Sequence, residues 1–352
     1  MGIFASVLVL SFLIFFHELG HFLAARFFGV HVEVFSIGFG TKVFKKVFGK
    51  TEYCISLIPL GGYVQMKGQD DRDPTKVSFD PDSYTIQAPW KRIIILFAGP
   101  FANFLLAFLL FIAIGTMGIT KFSPIVGQIA ENSPALVSGI MTNDRIVSIN
   151  DSMIQTWDDV SRAIQASEGA LRVKVEREGL VHTLVIEPKI SAYQNMFKET
   201  KYKKMIGIAP STQTMDVRYT GRELLTFAWD QTVQSTTLIV KGLEKFIVGE
   251  VPMKELGGVI TIVKVTSEAS DAGLVVLLGL TALISVNLGV LNLLPIPALD
   301  GGHIMFNFYE LVTKRVPSER VLATMTTAGW MVLLSLMALS LFNDIYRLTN
   351  GN

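Results

Sequence analysis

The chain is short of charge. Asp, Glu, Lys and Arg make up 17% of its 352 residues, while 50% are hydrophobic; soluble domains carry roughly a quarter charged residues. With a formal net charge of only +1, nothing in the overall charge suggests a nucleic-acid partner. A single cysteine, Cys54, excludes an internal disulfide framework. No Lys or Arg precedes Arg26, and the first apolar run contains no A-x-A site, so the two marks of a cleaved signal peptide are missing. That run is expected to be a retained membrane span.

Apolar residues are concentrated in runs near 2–28, 93–118, 273–294 and 325–342. Each is close to the ~20 residues that cross a bilayer as a helix. The expected fold class is therefore an α-helical polytopic membrane protein with four transmembrane helices. The first connection carries Arg26, Lys42, Lys45, Lys46, Lys50, Lys67, Arg72, Lys76, Lys91 and Arg92, and the third carries Lys314, Arg315 and Arg320. The amino terminus has none and the carboxyl tail only Arg347. By the positive-inside rule both short connections are cytoplasmic, and both termini and the long middle region are extracytoplasmic.

The first run contains Phe16-His17-Glu18-Leu19-Gly20-His21. Residues four apart share a helix face, so His17 and His21 can present imidazoles to one metal ion. Glu18, about 100° around the axis, can take a proton from a water beside that ion. Two imidazoles and a carboxylate suit zinc, with one ion expected per chain. Ionisable groups within a span are costly and functional by default; the bland alternative is that they only satisfy one another between helices.

A catalytic zinc keeps three protein ligands and one open position. The other histidines are His31, His182 and His303. The strongest acidic candidate is Asp300, in Asn292-Leu293-Leu294-Pro295-Ile296-Pro297-Ala298-Leu299-Asp300-Gly301-Gly302-His303. Its prolines and glycines predict irregular backbone at the end of a span, tolerated at membrane depth only where protein covers it or it lines a wet cavity. From Gly2 to His17 a helix rises about 22 Å of a ~30 Å core. Both halves of the pair thus fall toward the cytoplasmic side. His303, just beyond Asp300, is the alternative ligand.

His17-Glu18-x-x-His21 in a first span, paired with Asn292-x-x-Pro295-x-Pro297-x-Leu299-Asp300-Gly301 near a third, resembles the site-2 protease family of intramembrane zinc metalloproteases, in particular its bacterial RseP and RasP group. Ser36–Gly40, Pro59–Val64 and Ala98–Asn103 are similar to that group's recurring segments. The resemblance implies zinc on His17, His21 and Asp300, with Glu18 as base. It also implies that Asn292 helps to hold substrate and that Gly61–Met66, including Gly62, Tyr63 and Val64, lies in a membrane-associated β-hairpin region. An edge strand there could accept an extended substrate by β-augmentation, although a purely structural hairpin has the same periodicity. Ala98-Gly99-Pro100 reads as a turn at the start of the second span and a packing element, with Asn103 free to hydrogen-bond a neighbour.

Pro124–Ile129 and Arg145–Ile149 read as strands, Trp157–Ala166 as an amphipathic helix, and Leu171–Arg177 with His182–Ile186 as a ribbon turning at Glu178-Gly179. Ser133–Ile140 followed by Asn143–Asn150 resembles a PDZ domain of the single-PDZ members of that group. The expected domains are 1–121, with the first two spans and the β region; 122–190, an α+β PDZ-like insertion; 191–272, a linker with amphipathic helices within 218–247; and 273–352, with the last two spans. The resemblance implies an endopeptidase of the bacterial cytoplasmic membrane, cutting single-span proteins such as anti-sigma factors and remnant signal peptides after an upstream site-1-type protease. The competing class is a membrane adaptor without catalysis that binds peptides through the PDZ-like domain. A metal-dependent transporter lacks the expected repeat.

Overall fold

The computed structural model describes residues 2–69, 78–195 and 199–350, apart from the side chains of Pro59 and Leu60. Arg72 and Lys76 of the basic connection lie outside the described residues. The chain divides into two compact units, one of residues 1–114 with 220–352 and one of 115–219.

The first unit opens with helix α1 (Gly2–Phe27), apolar almost throughout. Its inward stripe is Ser6, Val9, Leu13, His21 and Ala25, with His17 at the missing step of the same three-to-four residue spacing. The two histidines therefore continue a packing face. Strands β1 (Val32–Phe48) and β2 (Thr51–Met66) follow, far longer than the segment expected from alternation around Tyr63. Each bends on itself, with Gly38 and Gly40 at φ +93° and +85° and Gly61 at +143°, conformations that L side chains rarely adopt. The 32–37 run consequently pairs with both 62–66 and 52–55, and the 42–48 run pairs with 51–56. In this register 62–66 is a sheet edge.

Helix α2 (Pro89–Met117) begins with proline at its first position, where no N–H is needed. Ile94, Phe97, Phe101, Leu105 and Leu109 are exposed at helical spacing, while Ile95, Leu96, Leu106, Ala107 and Ile114 are buried. An apolar residue on both faces is what a helix between protein and lipid requires. Ala98-Gly99-Pro100, read from sequence as a turn, is instead interior helix. The helix tolerates Pro100 although its ring removes one ladder N–H.

The second unit holds β3 (Ile119–Phe122), β4 (Val126–Ile129), α3 (Pro134–Val137), β5 (Arg145–Ile149), β6 (Ser152–Met153), α4 (Trp157–Ala166), β7 (Leu171–Arg177), β8 (Leu180–Ile186), β9 (Lys189–Gln194), β10 (Thr200–Met205), β11 (Ile208–Pro210) and β12 (Thr214–Val217). A four-stranded sheet runs β6-β5-β7-β8, with β3 pairing β12, β4 pairing β11, and β9 pairing β10. Leu171, Val173 and Val175 alternate inward along β7 and pack with Val160 and Ile164 of α4. The α4 start is closed by Asp159, whose Oδ2 accepts from Thr156 N at 2.8 Å. The unit is wider than 122–190 because β3 and β4 recruit partners from beyond residue 205.

The chain returns to the first unit through α5 (Gly221–Ile247), a 3₁₀ turn at Met253–Glu255, α6 (Val259–Ala272), α7 (Leu274–Asn292), α8 (Asp300–Thr313) and α9 (Glu319–Asn350). Helices α1, α2, α7 and α9 are each long and apolar enough to cross a membrane. Asp344 of α9 caps the start of α6, accepting from Gly258 N at 3.0 Å and Ile260 N at 2.9 Å.

Candidate metal centre

Three elements meet at one point. Helix α1 supplies His17 and His21, the start of α8 supplies Asp300, and α2 stands behind the histidines. The approach of α1 to α2 depends on two glycines. A Cβ on Gly20 would lie 2.2 Å from the Ala98 carbonyl oxygen, and one on Gly99 would lie 2.2 Å from His21 Nε2. One turn earlier on α2, the Ile95 carbonyl faces His21 Nδ1 at 2.9 Å. A carbonyl can only accept, so the proton sits on Nδ1 and the Nε2 lone pair turns inward.

Asp300 is the first residue of α8, held there by close backbone packing. The 293–299 connection folds back so that a Cβ on Gly301 would lie 2.2 Å from the Leu294 oxygen, and one on Gly302 2.4 Å from the Ile296 oxygen. No larger residue fits either place. Gly329 of α9 packs on the same connection, its Cβ position 2.8 Å from Ala298 N. Farther along α8, Arg92 of α2 donates to Glu310 at 2.7 Å and ties α8 to the helix behind the histidines.

The resulting distances are diagnostic. His17 Nε2 and His21 Nε2 are 3.2 Å apart. Asp300 Oδ2 lies 3.3 Å from the first and 3.4 Å from the second. Ligands about 2.0–2.1 Å from a tetrahedral zinc are about 3.3–3.4 Å from one another, the edge of that tetrahedron. Asp300 Oδ2 is buried and accepts no hydrogen bond from the described residues. Three electron-rich atoms at contact distance repel unless positive charge lies among them, and one proton cannot serve all three pairs. The donor set and the orphaned oxygen fit a single divalent ion. Among the described residues this trio is the one cluster of metal-ligating side chains; His303 is not in it.

A cavity of about 740 Å³ opens beside the trio. Glu18 lines it with His17, His21 and Asp300, as do Gly62, Tyr63, Val64, Gln65 and Met66 of the β2 edge and Trp330 of α9. Gly62 is pressed on α1, a Cβ there falling 3.2 Å from Glu18 Cγ. Tyr63 stacks on Phe39, ring centroids 6.1 Å apart. Gly61 sits at the bend that leads into this edge and is not among the lining residues. Asn292, half-buried at the end of α7, is also not among them. Of the two α2 groups behind the imidazoles, the sequence singled out Asn103 only as a hydrogen-bonding packing residue, and the Ile95 carbonyl not at all. A backbone carbonyl leaves no sequence signal, but a buried amide one helical face from the Gly99 contact does.

Residues 5–336 match the model of peptidase family M50. The chain belongs to that family. It is 48% identical over 344 residues to a Campylobacter jejuni protein named "Putative zinc metalloprotease Cj1068", the match covering 98% of this chain and 93% of the relative. A Helicobacter pylori protein (strain J99) named "Putative zinc metalloprotease" is 40% identical, with 97% and 99% covered. One from Clostridium acetobutylicum, "Putative zinc metalloprotease CA_C1796", is 34% identical, with 97% and 96% covered. M50 membership and the relatives' names make zinc the metal to expect at His17, His21 and Asp300. With four apolar helices, this M50 chain is a multi-pass membrane protein.

Proposed function

We propose that this chain is an intramembrane zinc endopeptidase, binding one zinc through His17, His21 and Asp300 and cutting single-span membrane proteins within or beside their spans. The observation that carries the reading is the donor triangle at zinc-ligand spacing, at the floor of a cavity that also contains Glu18. Zinc bound there would supply Lewis acidity, making water a nucleophile near neutral pH and polarising the scissile carbonyl. Glu18 takes the proton from the attacking water and passes it to the leaving amine.

A peptide bond inside an intact helix is shielded by its own hydrogen bonds, so the substrate must be extended where it is cut. The 62–66 edge lines the same cavity and offers unpaired backbone groups on its outer side. Gly62, Tyr63 and Val64 are the natural places for an added strand. Gly61 and Asn292 act less directly, Gly61 by setting the bend of the strand and Asn292 from the end of α7. Proteins of the anti-sigma-factor kind and remnant signal peptides, shortened beforehand by another protease, are substrates whose geometry suits this entry.

The basic connections favour a cytoplasmic-membrane protein with both termini and the 115–219 unit outside. That unit, read as PDZ-like, would bind or screen the outer part of a substrate. The adaptor alternative uses the same unit but leaves the Asp300 triangle without a purpose. Purified protein in lipid nanodiscs, given a single-span model substrate, is expected to cleave it near its span, to stop when chelated and to recover with zinc. Failure to cleave any single-span substrate with zinc restored, while a soluble unfolded protein is cut, would overturn the intramembrane assignment.

A further inference from the structure

We propose that Asn103 is a positioning residue for the metal centre: its side-chain oxygen accepts the Nδ1 proton of His17 and holds that imidazole in the tautomer whose Nε2 can bind a metal ion. The inference rests on the metal-site reading above and goes beyond it by assigning the support of the second histidine.

Asn103 is fully buried on α2, one turn past the Gly99 contact. Its backbone oxygen accepts from Ser285 Oγ of α7 at 2.8 Å, and Ser285 is itself fully buried, so the residue is pinned from behind. Its carboxamide lies 3.1 Å from His17 Nδ1. The two ends of a carboxamide have nearly the same shape, and the protons decide which end faces the ring. If Nδ2 donated to Nδ1, the imidazole proton would sit on Nε2, within the triangle, and His17 could not be a ligand. Asn103 Oδ1 would also remain buried without a hydrogen-bond partner, as it does in that orientation. Turning the amide by 180° frees His17 Nε2 of its proton and gives Oδ1 a partner, with Nδ2 taking the place that Oδ1 leaves. Oδ1 then accepts from Nδ1–H, and the Nε2 lone pair points toward His21 and Asp300.

The same logic already governs the other histidine. His21 Nδ1 meets the Ile95 carbonyl at 2.9 Å, and a carbonyl cannot donate. One helix thus fixes both rings, through a backbone acceptor for His21 and a side-chain acceptor for His17. Such outer contacts orient metal ligands and raise their basicity. The packing alternative assigns Asn103 only to holding α2 against α7, a task its backbone oxygen performs without the amide.

Two substitutions separate acceptor from packing roles. Asn103→Asp keeps an acceptor and removes the donor; Asn103→Leu keeps the volume and removes both. Zinc affinity is measured by chelator competition on the purified full chain in detergent, beside wild type and His17→Ala. The expected result is near-wild-type affinity for Asn103→Asp and a loss of about 10–100-fold for Asn103→Leu, with apo thermal stability unchanged. In the apo wild type, ¹⁵N-histidine NMR should place the His17 proton on Nδ1, a readout that packing alone would not dictate. Wild-type zinc affinity in Asn103→Leu overturns the inference, as does an equal loss in both variants. Should Asn103→Leu fail to fold, Asn103→Asp and the NMR tautomer still decide it. If wild type binds no zinc that His17→Ala abolishes, the metal-site reading falls together with this one. Zinc binding that survives in Asn103→Leu removes only the role of Asn103.

Discussion

Two aspartates, Asp144 in one unit and Asp300 in the other, are treated in opposite ways. Asp144, fully buried in the 115–219 unit, receives Arg177 Nε at 2.7 Å and Nη2 at 2.8 Å, and the Met141 N–H at 2.8 Å. Asp300 in the membrane unit has a buried oxygen that accepts no hydrogen bond from the described residues and faces two imidazoles. Burying a carboxylate is expensive, and the fold of the 115–219 unit offsets that cost locally with a charged fork and a backbone amide. The membrane unit does the same for Asp344, through the N–H groups of Gly258 and Ile260, but not for Asp300, although unpaired polar groups cost more there. A carboxylate left open beside two ring nitrogens is arranged for something the polypeptide does not itself provide. The completed set holds a fold together, and the incomplete one is where the proposed metal chemistry would sit.

The sharpest way to break this contrast is Glu18→Gln. Cleavage should fall about 10²–10⁴-fold, the usual contribution of a general base, while zinc content is unchanged. Turnover near the wild-type rate would remove the proposed base. In the other unit, Arg177→Met leaves Asp144 buried and alone. It should lower folding stability, read by denaturant melts of the full chain, without changing zinc content. A matching loss of zinc would end the claim that the two sites serve different purposes. Gly99→Ala pushes a methyl into the His21 ring and should weaken zinc about 10–100-fold, as disturbing a ligand's support does. Normal affinity would show that α1 and α2 can separate freely.

The smallest effect concerns pH. Burial pushes the Asp144 carboxyl upward, but hydrogen bonds from Arg177 and the Met141 N–H, with the Arg177 charge, outweigh it, so its folded pKa lies below the ordinary carboxylate value. The stability it contributes is complete above the unfolded value of about 3.9 and is lost as pH falls through the lower folded one. Acid melts should therefore show the 115–219 unit losing stability below about pH 4, and Asp144→Asn should remove that part of the dependence. An unchanged acid limb in Asp144→Asn would contradict the pairing.

Much of this was written in the apolar pattern. The first span was legible to within one residue, because α1 is apolar until Arg26. Helix α9 runs to Glu319 and Asn350, well past its apolar run, because polar end residues continue a helix without adding a hydropathy signal. The long β1 and β2 were hidden because their glycine bends interrupt the alternation that marks a strand. Gly301 and Gly302 argued for irregular backbone at Asp300, yet they begin α8; they are there for close contact with carbonyls, which only coordinates reveal. His17, His21 and Asp300 were legible as a set because one helix face and one connection at a shared depth leave few other partners. The acceptors behind the two rings were not, since hydrogen bonds between distant backbone and side chains have no fixed spacing.

The most direct measurement is zinc K-edge X-ray absorption on the purified full chain, with His17→Ala, His21→Ala and Asp300→Ala beside it. The expected spectrum is a low-coordinate nitrogen and oxygen shell at about 2.0–2.1 Å with imidazole scattering, which each of the three substitutions depletes. A sulfur shell, a six-oxygen shell, or zinc retained in full by any two of the three variants would contradict the account.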